Sequence, residues 1–291
     1  MPPITRRSLL AAGLGGALLP AVGYARPEGP RFVSLDHGLA QTLIEIDAAL
    51  VGLPQTQYWE TWTIEPPLPA STANLGTSRE INMEVLARLR PDLIVSTPYL
   101  EGVRDRMERM APVESFPIHA LGKSPYADIV AATRRLGVLA DREQAADQLI
   151  RRTEKTLSGM RAAVAPLRDA PLVMLNFIDT RHVRIYGENC LFQDVLDRLN
   201  LRNGWSRWTN AWGFATVGIE SLADIGDSRV FVLDPVPSDV FPVLSGSPLW
   251  QNLPFVKAGR LIRFPTVLMF GTLPSVARLA RLLGEFGARH G

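Results

Sequence analysis

Two stretches far apart in the chain carry the same unit, an amphipathic run that reads as a short helix feeding an unbroken apolar run that reads as a strand. In the first, Asn82-Met83-Glu84-Val85-Leu86-Ala87-Arg88-Leu89 opens on a residue able to cap a helix, stops at Arg90-Pro91, and leads into Asp92-Leu93-Ile94-Val95-Ser96. In the second, Ile219 to Ile225 leads into Arg229-Val230-Phe231-Val232-Leu233, and Glu84, Leu86 and Leu89 recur as Glu220, Leu222 and Ile225, each 136 positions later. Near the start, Arg31 to Leu35 is a further apolar run, followed by Asp36-His37-Gly38 and then Leu39, Leu43, Ile46 and Leu50 at helical spacing. Strands that are apolar throughout and alternate with helices belong to parallel sheets covered on both faces. The expectation is an α/β molecule of two lobes with parallel-sheet cores, residues 26–124 and 169–291.

Between the lobes, residues 125–168 contain no Gly or Pro from Val138 to Ser158 and carry Leu149, Leu157, Met160 and Val164 at helical spacing. This predicts one long linking helix, open to a break only at Gly137, with the ligand cleft between the lobes it holds apart.

Residues 1–25 read as an address. Arg6-Arg7 precede a short apolar run of Ala, Gly and Leu, and Gly23-Tyr24-Ala25 offers a small-x-small cleavage site. The paired arginines fit a twin-arginine signal, and a general secretory signal is the other reading. Both send the chain to a periplasm. No cysteine near the cleavage site offers a lipid attachment point, and no apolar run after it is long enough to anchor the chain in a membrane. Of 31 Lys and Arg against 29 Asp and Glu, two arginines lie in the signal, so the exported chain balances at 29 each and has no footprint for nucleic acid. Cys190, the only cysteine, allows no internal disulfide and leads into an apolar helical pattern, as a buried inert thiol would.

Catalytic and metal-binding signatures are absent: no Gly-x-Ser-x-Gly elbow, phosphate-binding loop, His-Glu-x-x-His or Cys-x-x-Cys follows the signal, and the four histidines are scattered. In parallel α/β sheets ligands bind beyond the carboxyl ends of the strands. That directs attention to Asp36-His37-Gly38, Thr97-Pro98-Tyr99 and Gly76-Thr77-Ser78-Arg79. Five of the six tryptophans fall in two loop-like clusters, Trp59 and Trp62 ahead of the stiff Glu65-Pro66-Pro67-Leu68-Pro69, and Trp205, Trp208 and Trp212 between Gly204 and Gly213. One cluster per lobe suits an apolar-walled cleft, although Trp59, Trp208 and Trp250 also suit core or rim.

The unit Asn82-x-Glu84-x-Leu86-x-x-Leu89-x-Pro91-Asp92-Leu93-Ile94-Val95 resembles the first-lobe signature of periplasmic substrate-binding proteins with a rigid helical backbone, which serve ABC importers of iron siderophores and cobalamin. Ile178-Asp179-x-Arg181-His182, Tyr186-Gly187-x-Asn189-x-Leu191-Phe192-Gln193, Asn210-x-Trp212-Gly213 and Pro248-Leu249-Trp250-Gln251-x-Leu253-Pro254-Phe255-Val256 extend the resemblance to the ferric hydroxamate siderophore-binding members over nearly the whole chain. It implies ligand contacts at Trp62, Trp212, Leu268 and Phe270. The family's chelate-binding arginine falls on Ser78 with Arg79 next to it, and its tyrosine falls on Leu100 with Tyr99 next to it. Trp205 and His37 complete the ligand-binding set. An apolar family position falls on Arg184, which strand alternation turns away from Val183 and Ile185, and a cation there implies a cargo more anionic than a neutral trihydroxamate, such as a mixed citrate-hydroxamate chelate. Asp105 and Glu220 match the acids that dock the inner-membrane permease. A siderophore saturates Fe³⁺ by itself, so a monomer with no metal ligands, no cofactor and no catalysis is expected. Cobalamin or haem on the same fold is the nearest alternative, with Tyr99 or His37 as axial ligand to haem; an exported cofactor enzyme and an interaction module without cargo are more distant ones.

Overall fold

A computed structural model describes residues 29–290, and the expected export signal lies outside them. The first lobe contains β1 (Arg31–Ser34), α1 (His37–Glu45), β2 (Ala49–Leu53), β3 (Ala73–Asn74), α2 (Met83–Leu89), β4 (Leu93–Ser96), α3 (Arg104–Glu108) and β5 (Val113–Ser115). Its five strands pair in the order β3-β2-β1-β4-β5, all parallel. Asp36 caps α1, its Oδ1 accepting from the Leu39 amide at 2.8 Å, and Asn82 caps α2 by accepting from the Val85 amide at 3.0 Å. α2 ends where Arg90 turns left-handed, one residue before Pro91.

Two helices follow, α4 (Tyr126–Leu139) and α5 (Glu143–Ala163). The single linking helix expected from the sequence is therefore divided. The chain turns at Ala140-Asp141-Arg142, where Asp141 takes φ 54°, a left-handed conformation that Asp adopts more readily than most residues and that needs neither Gly nor Pro.

The second lobe contains β6 (Leu172–Phe177), β7 (His182–Tyr186), α6 (Leu191–Arg198), β8 (Phe214–Gly218), β9 (Arg229–Leu233), α7 (Val240–Ser245), α8 (Pro248–Gln251), α9 (Pro254–Lys257), β10 (Leu261–Phe264) and α10 (Leu273–His290). The sheet order is β10-β9-β6-β7-β8. This sheet is not purely parallel as expected: β7 runs against both β6 and β8, because only four residues separate the β6 and β7 ends and a crossover helix cannot fit in that length. The repeated unit appears in both lobes, Leu86 and Leu222 each fully buried, but the second copy is wound as a 3₁₀ turn over Ile219–Ile225.

One apolar core runs through both lobes. Phe32 and Leu43 on the first-lobe side join Leu136, Leu149 and Leu279 of the helical layer and then Phe231 and Phe264 of the second sheet. Smaller clusters fill the outer face of each sheet. Polar groups bolt α1 to the start of α10: Thr42 donates to Thr272 at 2.8 Å, Thr272 to the Gly38 carbonyl at 2.8 Å, and Ser275 to Gln41 at 2.9 Å. Gly38 makes this approach possible, since a Cβ there would stand 2.6 Å from the Phe270 carbonyl oxygen. None of the described helices is long and apolar enough to cross a membrane.

Candidate functional site

The segments that leave β1, β4, β5, β6, β9 and β10 at their carboxyl ends converge on one cleft, with β7 and the start of β8 supplying its floor. Three adjoining hollows of about 400, 390 and 400 Å³ make up the cleft. The first lies between Thr97 to Tyr99, Phe116 to Leu121 and Trp212. The second, sharing Tyr99, His119 and Trp212 with it, adds Asp36, Phe214 and Phe270. The third extends past Phe270 to Leu268, Arg184, Tyr186, Asn176 and Trp62. Trp62 from the first lobe and Trp212 from the second thus wall a common depression, with Phe270 between them.

Trp62 stands on one wide turn, Trp59–Thr63, whose other tryptophan is the anchor. Trp59 is fully buried and its Nε1 donates to the Pro66 carbonyl at 2.8 Å, which fixes the turn against the proline-rich segment. Trp62 is left 37% exposed, stacked on Tyr58 with ring centroids 4.3 Å apart. Across the cleft Tyr99 and Trp212 meet at 4.3 Å between centroids, and Trp212 sets its ring nearly perpendicular to Phe270. Tyr99 donates from Oη to the His119 carbonyl at 3.2 Å, and burial together with the nearby Asp36 charge pushes its phenol well above the ordinary range. His119 bonds through Nε2 to the Gly271 carbonyl at 3.0 Å, and burial pulls its imidazole down to about 4, so the ring is neutral at ordinary pH.

Arg184 behaves as strand alternation predicts. Val183 and Ile185 are fully buried on one face of β7, while Arg184 is half-buried on the other and lines the third hollow. Its guanidinium lies 4.6 Å from the Phe214 ring centroid, its Nε is buried without a hydrogen-bond partner, and no carboxylate among the described residues pairs with it. Beside it Tyr186 donates to Asn176 Oδ1 at 2.6 Å, and Asn176 donates to the Leu233 carbonyl at 3.1 Å. Asp234 in the same hollow is occupied by Arg263.

Three of the expected ligand residues lie elsewhere. Trp205 is 4% exposed in the outer core of the second lobe, its Nε1 unpartnered. His37 has both ring nitrogens engaged, Nδ1 with Thr63 Oγ1 at 3.1 Å and Nε2 with the Pro54 carbonyl at 3.0 Å, and it lines none of the three hollows. Arg79 is exposed on the turn Thr77 to Glu80, closed by the Glu80 amide on the Thr77 carbonyl at 3.2 Å, and it lines none of them either. Of the tryptophans suited to core or rim, Trp59 and Trp250 are core, whereas Trp208 is 75% exposed. His119, Asn176, Tyr186 and Phe214 also belong to the cleft without having been expected as ligand contacts, and Asp36 was indicated only as part of the post-strand segment Asp36-His37-Gly38.

Cys190 is buried, with its thiol pushed up to about 12 by burial, and is inert in that setting. No group of three or more His, Cys, Asp or Glu able to hold a metal occurs among the described residues.

A family model described as periplasmic binding protein matches residues 33–268. The iron(3+)-hydroxamate-binding protein FhuD of Escherichia coli (strain K12) is 31% identical over 286 residues, covering 97% of this chain and 96% of the relative. Among solved structures, FhuD from Vibrio cholerae bound to Fe³⁺-Desferal superposes with a TM-score of 0.82 at 25% identity, over 88% of this chain and 97% of that one. Staphylococcus aureus SirA complexed with staphyloferrin B gives 0.64 at 20% identity, over 88% and 92%, a likeness of fold.

Proposed function

The chain belongs to the periplasmic binding proteins, and from that premise we propose that its cleft captures a ferric siderophore of hydroxamate or mixed citrate-hydroxamate type and delivers it to an inner-membrane ABC permease. The observation that carries this reading is Arg184, a guanidinium that no carboxylate among the described residues pairs with, half-buried at the floor of a cleft walled by Trp62, Trp212, Tyr99 and Phe270. A hexadentate siderophore satisfies Fe³⁺ without help from the protein. What it presents outward is an apolar organic shell and partly negative chelate oxygens, and those are the surfaces that indole walls and a guanidinium accept. Each charge-assisted bond contributes on the order of 1.5 to 3 kcal/mol, and two or three with aromatic burial reach micromolar affinity, about −8 kcal/mol. The chain binds rather than transforms, carries no cofactor of its own and works as a monomer in the periplasm, to which its first 25 residues direct it.

The names of the relatives favour iron over cobalamin and haem, and the engagement of both His37 nitrogens removes one of the two axial ligands considered for haem. Tryptophan-fluorescence titration separates these cargoes. Ferric trihydroxamates and ferric citrate-hydroxamates quench at micromolar concentration or below, iron-free forms more weakly, and cobalamin and haemin little. Arg184→Leu weakens the citrate-containing chelates about tenfold or more. Tight haemin or cobalamin binding without siderophore binding overturns the reading, and an unchanged citrate-chelate affinity in the variant removes Arg184 from it.

Delivery requires a second surface. Asp105 on α3 and Glu220 on the Ile219–Ile225 turn are both exposed, one on each lobe, and neither is paired with a cation among the described residues. They are assigned to docking against permease cations. Reversing both charges abolishes uptake in cells while leaving chelate affinity in solution intact; loss of affinity as well refutes the assignment.

A further inference from the structure

The first hollow of the cleft is lined by no Asp, Glu, Lys or Arg, unlike the second, where Asp36 lies, and the third, where Arg184 lies. Its wall of about 400 Å³ is built from Pro98, Phe116, Pro117, Ile118 and Leu121 on the first lobe and closed by Trp212 from the second. The polar side chains that reach it are committed or buried. Tyr99 donates from Oη to the His119 carbonyl at 3.2 Å, the His119 ring is engaged through Nε2 with the Gly271 carbonyl at 3.0 Å, and Thr97 is buried. A polar group placed there would lose its water without a hydrogen bond in return, whereas a hydrocarbon group loses nothing.

The hollow is also preformed. The Phe116 amide donates to the Ser96 carbonyl, the Ile118 amide to the Phe116 carbonyl across Pro117, and the Gly122 amide to the Ala211 carbonyl of the second lobe, each at 2.9 Å. Phe116 and Ile118 belong to the common core, so the floor is fixed, while Leu121 at the lip is 58% exposed. An exposed leucine beside a rigid apolar cavity is surface that a hydrocarbon guest removes from water at little cost in ordering. Thr97, Tyr99, His119 and Trp212 line the first and second hollows alike, so a guest in one is continuous with cargo in the other. Tyr99 and Trp212 also touch, with centroids 4.3 Å apart, which narrows the way between the hollows and suits a slim chain better than a ring.

We infer that the first hollow is a subsite for an aliphatic acyl chain, so that the cargo is a ferric chelate carrying a hydrocarbon tail. The inference rests on the reading of the cleft as a siderophore site and adds a chemical class to it: Arg184 meets the chelate oxygens in the third hollow, while the tail runs past Tyr99 and Trp212 to lie against Pro98, Pro117, Ile118 and Leu121.

The test uses the whole chain and two variants. Ala120→Leu fills the hollow from its half-buried wall, and Leu121→Asp sets a charge at the exposed lip, where folding has least to lose. The probes are one ferric linear trihydroxamate acylated at its end with an acetyl, a butanoyl or an octanoyl group, and 1-octanol without iron, followed at neutral pH by tryptophan fluorescence and calorimetry. The wild type binds the octanoyl chelate about a hundredfold more tightly than the acetyl one, with the butanoyl chelate between them. Each variant brings that ratio close to one, and 1-octanol at millimolar concentration shifts the tryptophan signal of the wild type and of neither variant. Equal affinity for the three chelates with no response to octanol overturns the inference and leaves the siderophore reading standing, and a length preference that both variants retain overturns it as well. An octanol response lost in both variants, with no chelate of any length bound, supports the apolar subsite while removing the siderophore reading.

Discussion

Asp36 and His119 line the same hollow and respond to acid in opposite ways. Folded His119 holds its proton only below about 4, against 6.5 for a free imidazole, so between those values the unfolded chain binds a proton that the folded chain does not. Stability from this residue is fully present above 6.5 and is lost as pH falls toward 4; the downward shift of His37 acts in the same direction. Folded Asp36 holds a proton up to about 6 where the unfolded residue has released it above 3.8, so acidification through that window favours the folded chain. The Asp36 and His119 shifts each correspond to about 3 kcal/mol. The titratable groups that share the hollow with Asp36 are Tyr99 after β4 and His119 after β5, with only aromatic rings from the second lobe. Asp36→Asn is therefore more stable than the wild type at pH 7.5, by up to about 3 kcal/mol in urea unfolding, and the advantage shrinks to near zero by pH 4. Parallel curves for the two proteins across that range contradict the assignment. A carboxylate kept at such a cost to stability is expected at a binding site rather than in a scaffold.

At the level of elements, what the sequence made legible is what local pattern controls. The strands Arg31–Ser34, Leu93–Ser96 and Arg229–Leu233, the Asn82 cap and the placement of Arg184 on the face of β7 opposite Val183 and Ile185 all follow from apolar runs, capping chemistry and period-two alternation. The break between α4 and α5 was not legible, because Asp141 makes a left-handed turn with no Gly or Pro to announce it. Gly137 has another role. A Cβ there would sit 2.6 Å from Ala146 Cβ and 3.2 Å from Glu143 Cα, so the residue lets the end of α4 pack against the start of α5 instead of ending the helix. The direction of β7 was lost for a similar reason: its apolar alternation is the same for either direction, and only the short link to β6 decides. Within the site, Trp62, Trp212 and Phe270 were accessible through resemblance. Trp205 was misplaced because clustering in sequence says nothing about which side of a loop faces the core, and Trp208, three residues on, projects into solvent while Trp205 is buried.

The whole molecule is held by a core that does not stop at the lobe boundary. Leu39 and Leu43 of α1, Leu136 of α4, Leu149 of α5 and Leu279 of α10 form one apolar body with Phe231 of the second sheet, so no plane divides the lobes without exposing buried surface. Each lobe keeps only the smaller cluster on the outer face of its sheet to itself, and the α1–α10 bolt through Thr42, Thr272, Gln41 and Ser275 adds buried polar bonds that are costly to leave unmade. A molecule built in this way unfolds as a unit despite its two sheets. In scanning calorimetry the chain gives one transition whose calorimetric and van't Hoff enthalpies agree. Gly38→Val, which drives a side chain into the Phe270 carbonyl, lowers the melting temperature of that single transition and weakens chelate binding at the same time, because Phe270 stands between the hollows around Trp212 and Trp62. Two resolved transitions in the wild type, or a Gly38→Val variant that loses stability while keeping full affinity, would mean that the lobes are independent bodies and that the cleft owes its shape to something other than their shared core.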